Sequence, residues 1–306
     1  VAKADNSRNS NDPPPAPIMK KLILLCLSFS ALFATAAEPL RFVAWNIEWF
    51  PGLRPTASAE EADKHMKQCQ EALKKMNPDI FIAEEIRDWA AFHELVSAVP
   101  GLTVNVVSSF KDPESGRIRN QQIGIASKLK CRGAWWETWA ANYPNISRGF
   151  SFAALEHPDG GLLMVYGNHL KSNSGGNSEE GAKKNAGMRD EQVTQLLAHK
   201  KEIETAFSDQ KIMGWISAGD FNTNHDGQFP LDSVIKSMTL GGYHNTWEGV
   251  AKEKRLTWRS QPESKFQPTT FDYIFTQGIK ETTAFILEVP RELSDHYPIG
   301  IPIMAP

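Results

Sequence analysis

Asp79-Ile80-Phe81-Ile82-Ala83-Glu84-Glu85 is the stretch on which the reading of this chain turns. The run from Ile80 to Ala83 is apolar without a break and too short for a buried helix. Asn77-Pro78 stops whatever precedes it, and two carboxylates end it. That pattern predicts a strand buried on both faces that opens into a loop at Glu84-Glu85. Three more pieces are read the same way: Trp45-Asn46-Ile47-Glu48, Gly219-Asp220-Phe221-Asn222 and Ser294-Asp295-His296. Asn168-His169-Leu170 follows the run Leu162–Tyr166, and Asp272 interrupts the apolar stretch Phe271–Phe275. Oxygen ligands, carboxylates and two histidines brought to one mouth suit a hard divalent cation engaged in hydrolysis.

Outward from that core the elements alternate. Leu40–Asn46 reads as a first buried strand, and Ser58-Ala59-Glu60-Glu61 as a capping box. Ala62, Met66, Cys69, Leu73 and Met76 then recur at helical spacing. Asp88 caps a second helix through Val99. Strands are expected at Thr103–Val107, Gln122–Ser127, Gly149–Glu156, Leu162–Tyr166, Ile212–Ala218, Leu256–Trp258, Phe271–Phe275, Ala284–Glu288 and Pro298–Ile303. A long helix is expected over about Lys183 to Phe207 and a short one near Leu231–Met238. Strands with interspersed helices and some hairpin joints fit an α/β fold of two packed sheets flanked by helices.

The chain has 306 residues, 41% hydrophobic and 23% charged, an ordinary globular balance. Met19-Lys20-Lys21, the apolar run Leu22–Phe33 and the exit Ala34-Thr35-Ala36-Ala37 have the form of a secretory signal peptide over 19–37, cleaved near Ala36–Glu38. Residues 1–18 are then an extension ahead of the true start, without order of their own. The expected mature part, 38–306, is read as one catalytic domain of a secreted or periplasmic protein. It holds 29 basic and 34 acidic residues, a net charge of −5, so no global basic field argues for nucleic acid. Lys111, Arg117, Arg119, Lys128, Lys130 and Arg132 crowd one stretch, and read equally as a phosphate-tracking surface or a solvated strand face. Cys69 and Cys131 could pair in an oxidising compartment, or Cys69 could stay a buried thiol. Trp135, Trp136, Trp139 and Tyr143 read as core packing before base stacking or membrane contact. His225 and His244 read as ordinary loop histidines.

Six pieces, in order, resemble the endonuclease/exonuclease/phosphatase superfamily: Trp45–Glu48, Glu84-Glu85, Asn168-His169, Gly219–Asn222, Asp272 and Asp295-His296. That superfamily includes deoxyribonuclease-I-like enzymes, abasic-site endonucleases, neutral sphingomyelinases and inositol polyphosphate phosphatases. The resemblance runs from about Arg41 to Ile303 and implies a four-layer sandwich of two packed mixed β-sheets between helices. It implies Asn46, Glu85 and Asp295 as ligands of Mg²⁺ or Mn²⁺, with Ca²⁺ as a further candidate. Glu84 stands where the family usually has Gln. Glu48 is read as a solvated loop residue rather than a partner of these ligands. His169, Asp220, Asn222, Asp272 and His296 match catalytic positions, with Asp272 orienting His296 by analogy. Asn120, Arg148 and Lys171 are the expected contacts to substrate phosphate. The reading that follows is a metal-dependent phosphodiesterase acting as a monomer, with nucleic acid as first substrate and phospholipid as second. A catalytically dead binding module is disfavoured because every ligand type is present.

Overall fold

The chain opens into sheet at Leu40–Phe50 (β1), whose residues alternate between two apolar environments. Phe42 and Ala44 face one core, while Val43 and Trp45 face another. The computed structural model describes residues 38–112, 114–119, 121–140, 148–224, 226, 233–260, 266–280 and 282–304. The segments expected as extension and signal peptide lie outside the described residues, as do Asn120, Tyr143 and His225.

Ser58 and Glu61 form the reciprocal capping box that starts Ala59–Met76 (α1), and Asn77 ends it in a left-handed conformation. Ile80–Ile86 (β2) lies parallel to β1. Asp88 caps Trp89–Val96 (α2) through the Ala91 N–H. Thr103–Val107 (β3) and Gln122–Ser127 (β4) follow, then Cys131–Thr138 (β5), Gly149–Glu156 (β6) and Leu162–His169 (β7). The long helix Glu179–Ala206 (α3) leads to Ile212–Asp220 (β8), Val234–Leu240 (α4), His244–Asn245 (β9), Asp272–Gln277 (β10), Phe285–Ile286 (β11) and Ile299–Ile303 (β12).

Two mixed six-stranded sheets result, in the orders β11-β12-β1-β2-β4-β3 and β5-β6-β7-β8-β10-β9. Phe42, Ile80, Ile82, Ile123 and Ile125 of the first sheet belong to the larger core with the strands of the second. Val43, Trp45, Phe81 and Ala83 pack under α1 and α2 on the first sheet's other face. Leu196 and Ile203 of α3 and Met238 of α4 cover the second sheet beside Trp215. This is the four-layer sandwich expected from the sequence.

Several boundaries move. α3 begins at Glu179 because Ser178 supplies the cap, accepting from Gly181 N–H. Leu256–Trp258 is not a strand; Trp258 makes only isolated bridges to Thr269 and His296. β5 was not foreseen, because its tryptophans hide the alternation. Trp135 packs on Phe152 and His199, while Trp136 meets Phe110 edge-on. Cys69 is buried on α1 and Cys131 stands on β5 of the other sheet, and both are free thiols. The basic stretch does not make one surface. Lys111, Arg117 and Arg119 precede β4, whereas Lys128, Lys130 and Arg132 follow it, roughly 20 Å away. The latter three pair with Asp79 and Glu156. Among the described residues no helix is long and apolar enough to cross a membrane.

Candidate active site

Parallel pairing places the chemistry. β1 and β2 run together with Asn46 beside Glu84, and β7 and β8 run together with His169 beside Asp220. The carboxyl ends of both pairs open at one mouth, where strand ends leave side chains free to face a ligand. The antiparallel strand β10 enters at that edge, so its first residue, Asp272, sits opposite Asp220. Ser294-Asp295-His296 likewise precedes β12, which pairs antiparallel with β1. This piece therefore reaches the mouth from a strand's start, not its end.

Backbone strain concentrates here. Glu48, Trp49, Glu85, Arg148 and Asn222 have φ of 35°, 51°, 59°, 74° and 50°, left-handed values that cost each on the order of 1–3 kcal/mol. Surrounding bonds hold them: Trp49 N–H donates to Glu85 Oε2 at 3.0 Å, and Asn222 N–H to Asp220 Oδ1 at 2.8 Å. On the far side, His65 of α1 accepts from Gly52 N–H and bonds Leu293 O, tying together the segments that carry Asn46 and Asp295.

Alternation separates the two adjacent glutamates. Glu85 turns to the cleft, its Oε1 3.4 Å from Asn46 Nδ2 and 3.9 Å from His169 Nε2. Glu84 turns inward and is fully buried, and neither carboxyl oxygen meets a hydrogen-bond donor among the described residues. Gly219 makes room for it: a Cβ there would lie 2.4 Å from Glu84 Oε1 and 2.1 Å from Asn168 O. Burial, then the nearby Asp272 and Asp220, hold Glu84 protonated well above the ordinary carboxylate range. A proton kept only by the folded state favours folding below the unfolded value of about 4.5 and loses that benefit as pH rises. Glu84→Gln needs no proton. Its urea midpoint should exceed the wild type's at pH 8, and the gain should shrink toward zero near pH 4.5. A gain independent of pH would refute a protonated Glu84.

Asp220 is the centre of the constellation. Its Oδ2 accepts from Asn46 Nδ2 at 3.1 Å and lies 3.5 Å from His169 Nε2 and 3.8 Å from His296 Nε2. Burial raises its pKa to about 7, with His296 opposing and Asp272 reinforcing. His296 Nδ1 and Asp272 Oδ2 are 2.7 Å apart. Burial works against charge on this imidazole, but Asp272, Asp220 and Asp295 outweigh it and hold the ring protonated well above the usual histidine range. His169 is the opposite case: burial and the Arg148 guanidinium push it well below that range, so it is neutral. Two histidines thus differ in charge because Asp272 lies 2.7 Å from His296 Nδ1, whereas the Arg148 guanidinium lies against His169.

The expected substrate contacts are placed differently. Arg148 is buried, with Nη1 3.1 Å from His169 Nε2 and Nη2 donating to Leu170 O at 2.8 Å, so it lies behind the histidine. Lys171 Nζ donates to Ser172 O and Ser174 O and braces the loop beside the cleft. Burial and neighbouring cations lower that ammonium to about 8. Asn120 lies outside the described residues. Glu48 is no solvated loop residue: it is half-buried and ion-paired to Arg291 at 2.8 Å, because the irregularity in β1 after Asn46 turns it inward beside Asp295. Trp258 and Ser294 were missed. Trp258 Nε1 donates to Asp295 Oδ2 at 3.0 Å, and Ser294 Oγ donates to Asn46 O while accepting from His296 N–H. Their signal was adjacency: Ser294 precedes Asp295, whereas nothing local marks Trp258.

The cleft encloses about 420 Å³. Glu85, His169, Asp220 and His296 form its floor, Trp258, Phe266 and Phe271 one wall, and Ser172, Asn173, Ser174 and Asn177 the other. No three His, Cys, Asp or Glu side chains among the described residues form a complete metal cage. A cation that keeps several waters and takes one or two carboxylates, as Mg²⁺ does, needs none. The charge balance favours such an ion: among the described residues Glu85, Asp220, Asp272 and Asp295 interact with Arg148, Arg259 and His296, a surplus of acid that would repel an anionic ligand. Asn46, Glu85 and Asp295 are oxygen donors of the right hardness.

No family model matches this chain, and no curated protein matches it significantly in sequence. Solved structures do match. An endonuclease/exonuclease/phosphatase from Beutenbergia cavernae DSM 12333 is 17% identical with a TM-score of 0.62, covering 87% of this chain and 72% of that one. The human Nocturnin catalytic domain with bound sulfate is 18% identical with a TM-score of 0.61, covering 87% and 93%. Truncated Caenorhabditis elegans TDP2 is 16% identical with a TM-score of 0.59, covering 87% and 98%. Identities this low carry the architecture alone, and the chain has the deoxyribonuclease-I-like fold of the endonuclease/exonuclease/phosphatase proteins.

Proposed function

We propose that this chain is a divalent-metal-dependent phosphodiesterase acting on nucleic acid, exported on the strength of Met19–Ala37. The observation that carries the reading is Asp220, within 4 Å of both histidines and poised near neutral pH. A carboxylate that titrates near the working pH can take the proton of an attacking water. The water oxygen forms the new bond to phosphorus as the in-line P–O ester bond breaks, and the departing oxygen takes up a proton from solvent. His296, kept cationic by Asp272, hydrogen-bonds a non-bridging phosphoryl oxygen as charge builds there. Asn222 and neutral His169 orient the same group. Asn46, Glu85 and Asp295 would hold Mg²⁺ or Mn²⁺, with Ca²⁺ a third candidate, which would supply Lewis-acid stabilisation of the phosphoryl charge.

The walls support a nucleotide over a polyphosphorylated substrate. One offers aromatic faces and the other neutral amides and hydroxyls, and neither adds a cation for a second phosphate. A phospholipid reading has one observation in its favour. Trp89 and Ile118 are 55% and 57% exposed and flank the ends of β2 and β4 at the Glu85 edge. Residues 38–306 incubated with oligonucleotide or sphingomyelin vesicles, each with Mg²⁺ or excess chelator, decide between them. Metal-dependent cleavage of the oligonucleotide is expected. Full activity in chelator would remove the mechanism, and cleavage of sphingomyelin alone would transfer the function to lipid.

A further inference from the structure

A second groove, of about 900 Å³, lies beside the cleft, and Trp258 lines both. Its walls carry two further aromatic side chains, Phe285, which is 39% exposed, and Tyr297. Lys254 and Arg259 are its cations, and Glu253 and Glu288 its acids. Arg259 stacks on Tyr297 with its guanidinium 4.1 Å from the ring centre. It donates to the backbone carbonyls of Val289, Pro290 and Ser294, and feels the charge of Asp295 without a direct carboxylate hydrogen bond among the described residues. A rigid cation on an aromatic plane, between the half-buried Trp258 and the exposed Phe285, is a platform for flat, anionic units.

We propose that this groove holds the nucleotides next to the scissile phosphodiester, so that a single strand crosses from the cleft over Trp258 onto Phe285 and Tyr297. The inference rests on the nucleic-acid reading of the cleft and adds that the substrate is a polymer. A single strand fits better than a duplex, because aromatic faces are useful only to bases that are not already stacked. A lipid fits poorly, since the rings line a groove interleaved with charges instead of projecting as an apolar tip. Two cations against two acids leave little net charge, so stacking dominates over counterion release.

The test measures binding of a fluorescent, hydrolysis-resistant phosphorothioate 12-mer and of thymidine monophosphate in Mg²⁺. Phe285→Ala should weaken the 12-mer about tenfold, the weight of one stacked base, and leave the mononucleotide unchanged. The wild-type 12-mer affinity should change less than about tenfold between 50 and 200 mM salt. Equal losses for both ligands, no loss for either, or a steep salt dependence would overturn the proposal. So would phosphatidylcholine vesicle binding that Phe285→Ala abolishes while the 12-mer is unaffected. Because binding needs no turnover, a phosphorothioate 12-mer held through Phe285 while the unmodified phosphodiester 12-mer stays uncut in Mg²⁺ would defeat the hydrolytic reading and leave this one standing.

Discussion

Asp220→Asn should lower kcat by about 10³-fold while leaving the fold and KM nearly unchanged, because it removes the group suited to take the proton of water. The substitution is almost isosteric: Oδ1 still accepts from the Asn222 N–H at its present 2.8 Å, and the bond that Oδ2 accepts from Asn46 Nδ2 is lost. The wild-type rate should fall as pH drops through the Asp220 value, which burial sets at about 7 and the field of a bound divalent cation would move lower. Activity needs the ionised form, so the loss lies on the acid side. The Asn variant should lack that limb. A variant that keeps the limb, or loses less than tenfold in kcat, would assign the base elsewhere.

His296→Ala should depress turnover by roughly 10² or more, since it removes the cation that the proposed mechanism sets against the phosphoryl group. Asp272→Asn should reproduce much of that loss, because the 2.7 Å contact at Nδ1 and the charge that sustains the imidazolium both weaken. The double variant should cost little beyond His296→Ala, as residues acting as a unit are non-additive. Asp272→Asn should compound with His169→Ala, because His169 owes its neutral state to burial and Arg148, not to Asp272. Simple multiplication of the Asp272 and His296 effects would break the pair. Kinetics in saturating Mg²⁺ with a single oligonucleotide are sufficient for the comparison.

Short apolar runs ending in acids were enough to place the mouth. Ile80–Ala83 can only be a strand buried on both faces, and Glu84-Glu85 cannot follow it inside without a special environment. The helix starts at Ser58 and Asp88 were equally legible, because capping is local chemistry within three residues. β5 was not, since three tryptophans within Cys131–Trp139 obscure the period of two. Trp258 could not be found either, because its partner Asp295 is far along the chain.

Residue types at strand ends are thus determined by sequence alone, since burial pattern and loop chemistry are properties of neighbours in the chain. Which glutamate enters the cleft, which histidine is charged and where Arg148 points were decided by tertiary structure. Each depends on groups from different strands meeting within a few ångströms, where burial and Coulomb energy act between residues such as Asp272 and His296 that no local pattern links.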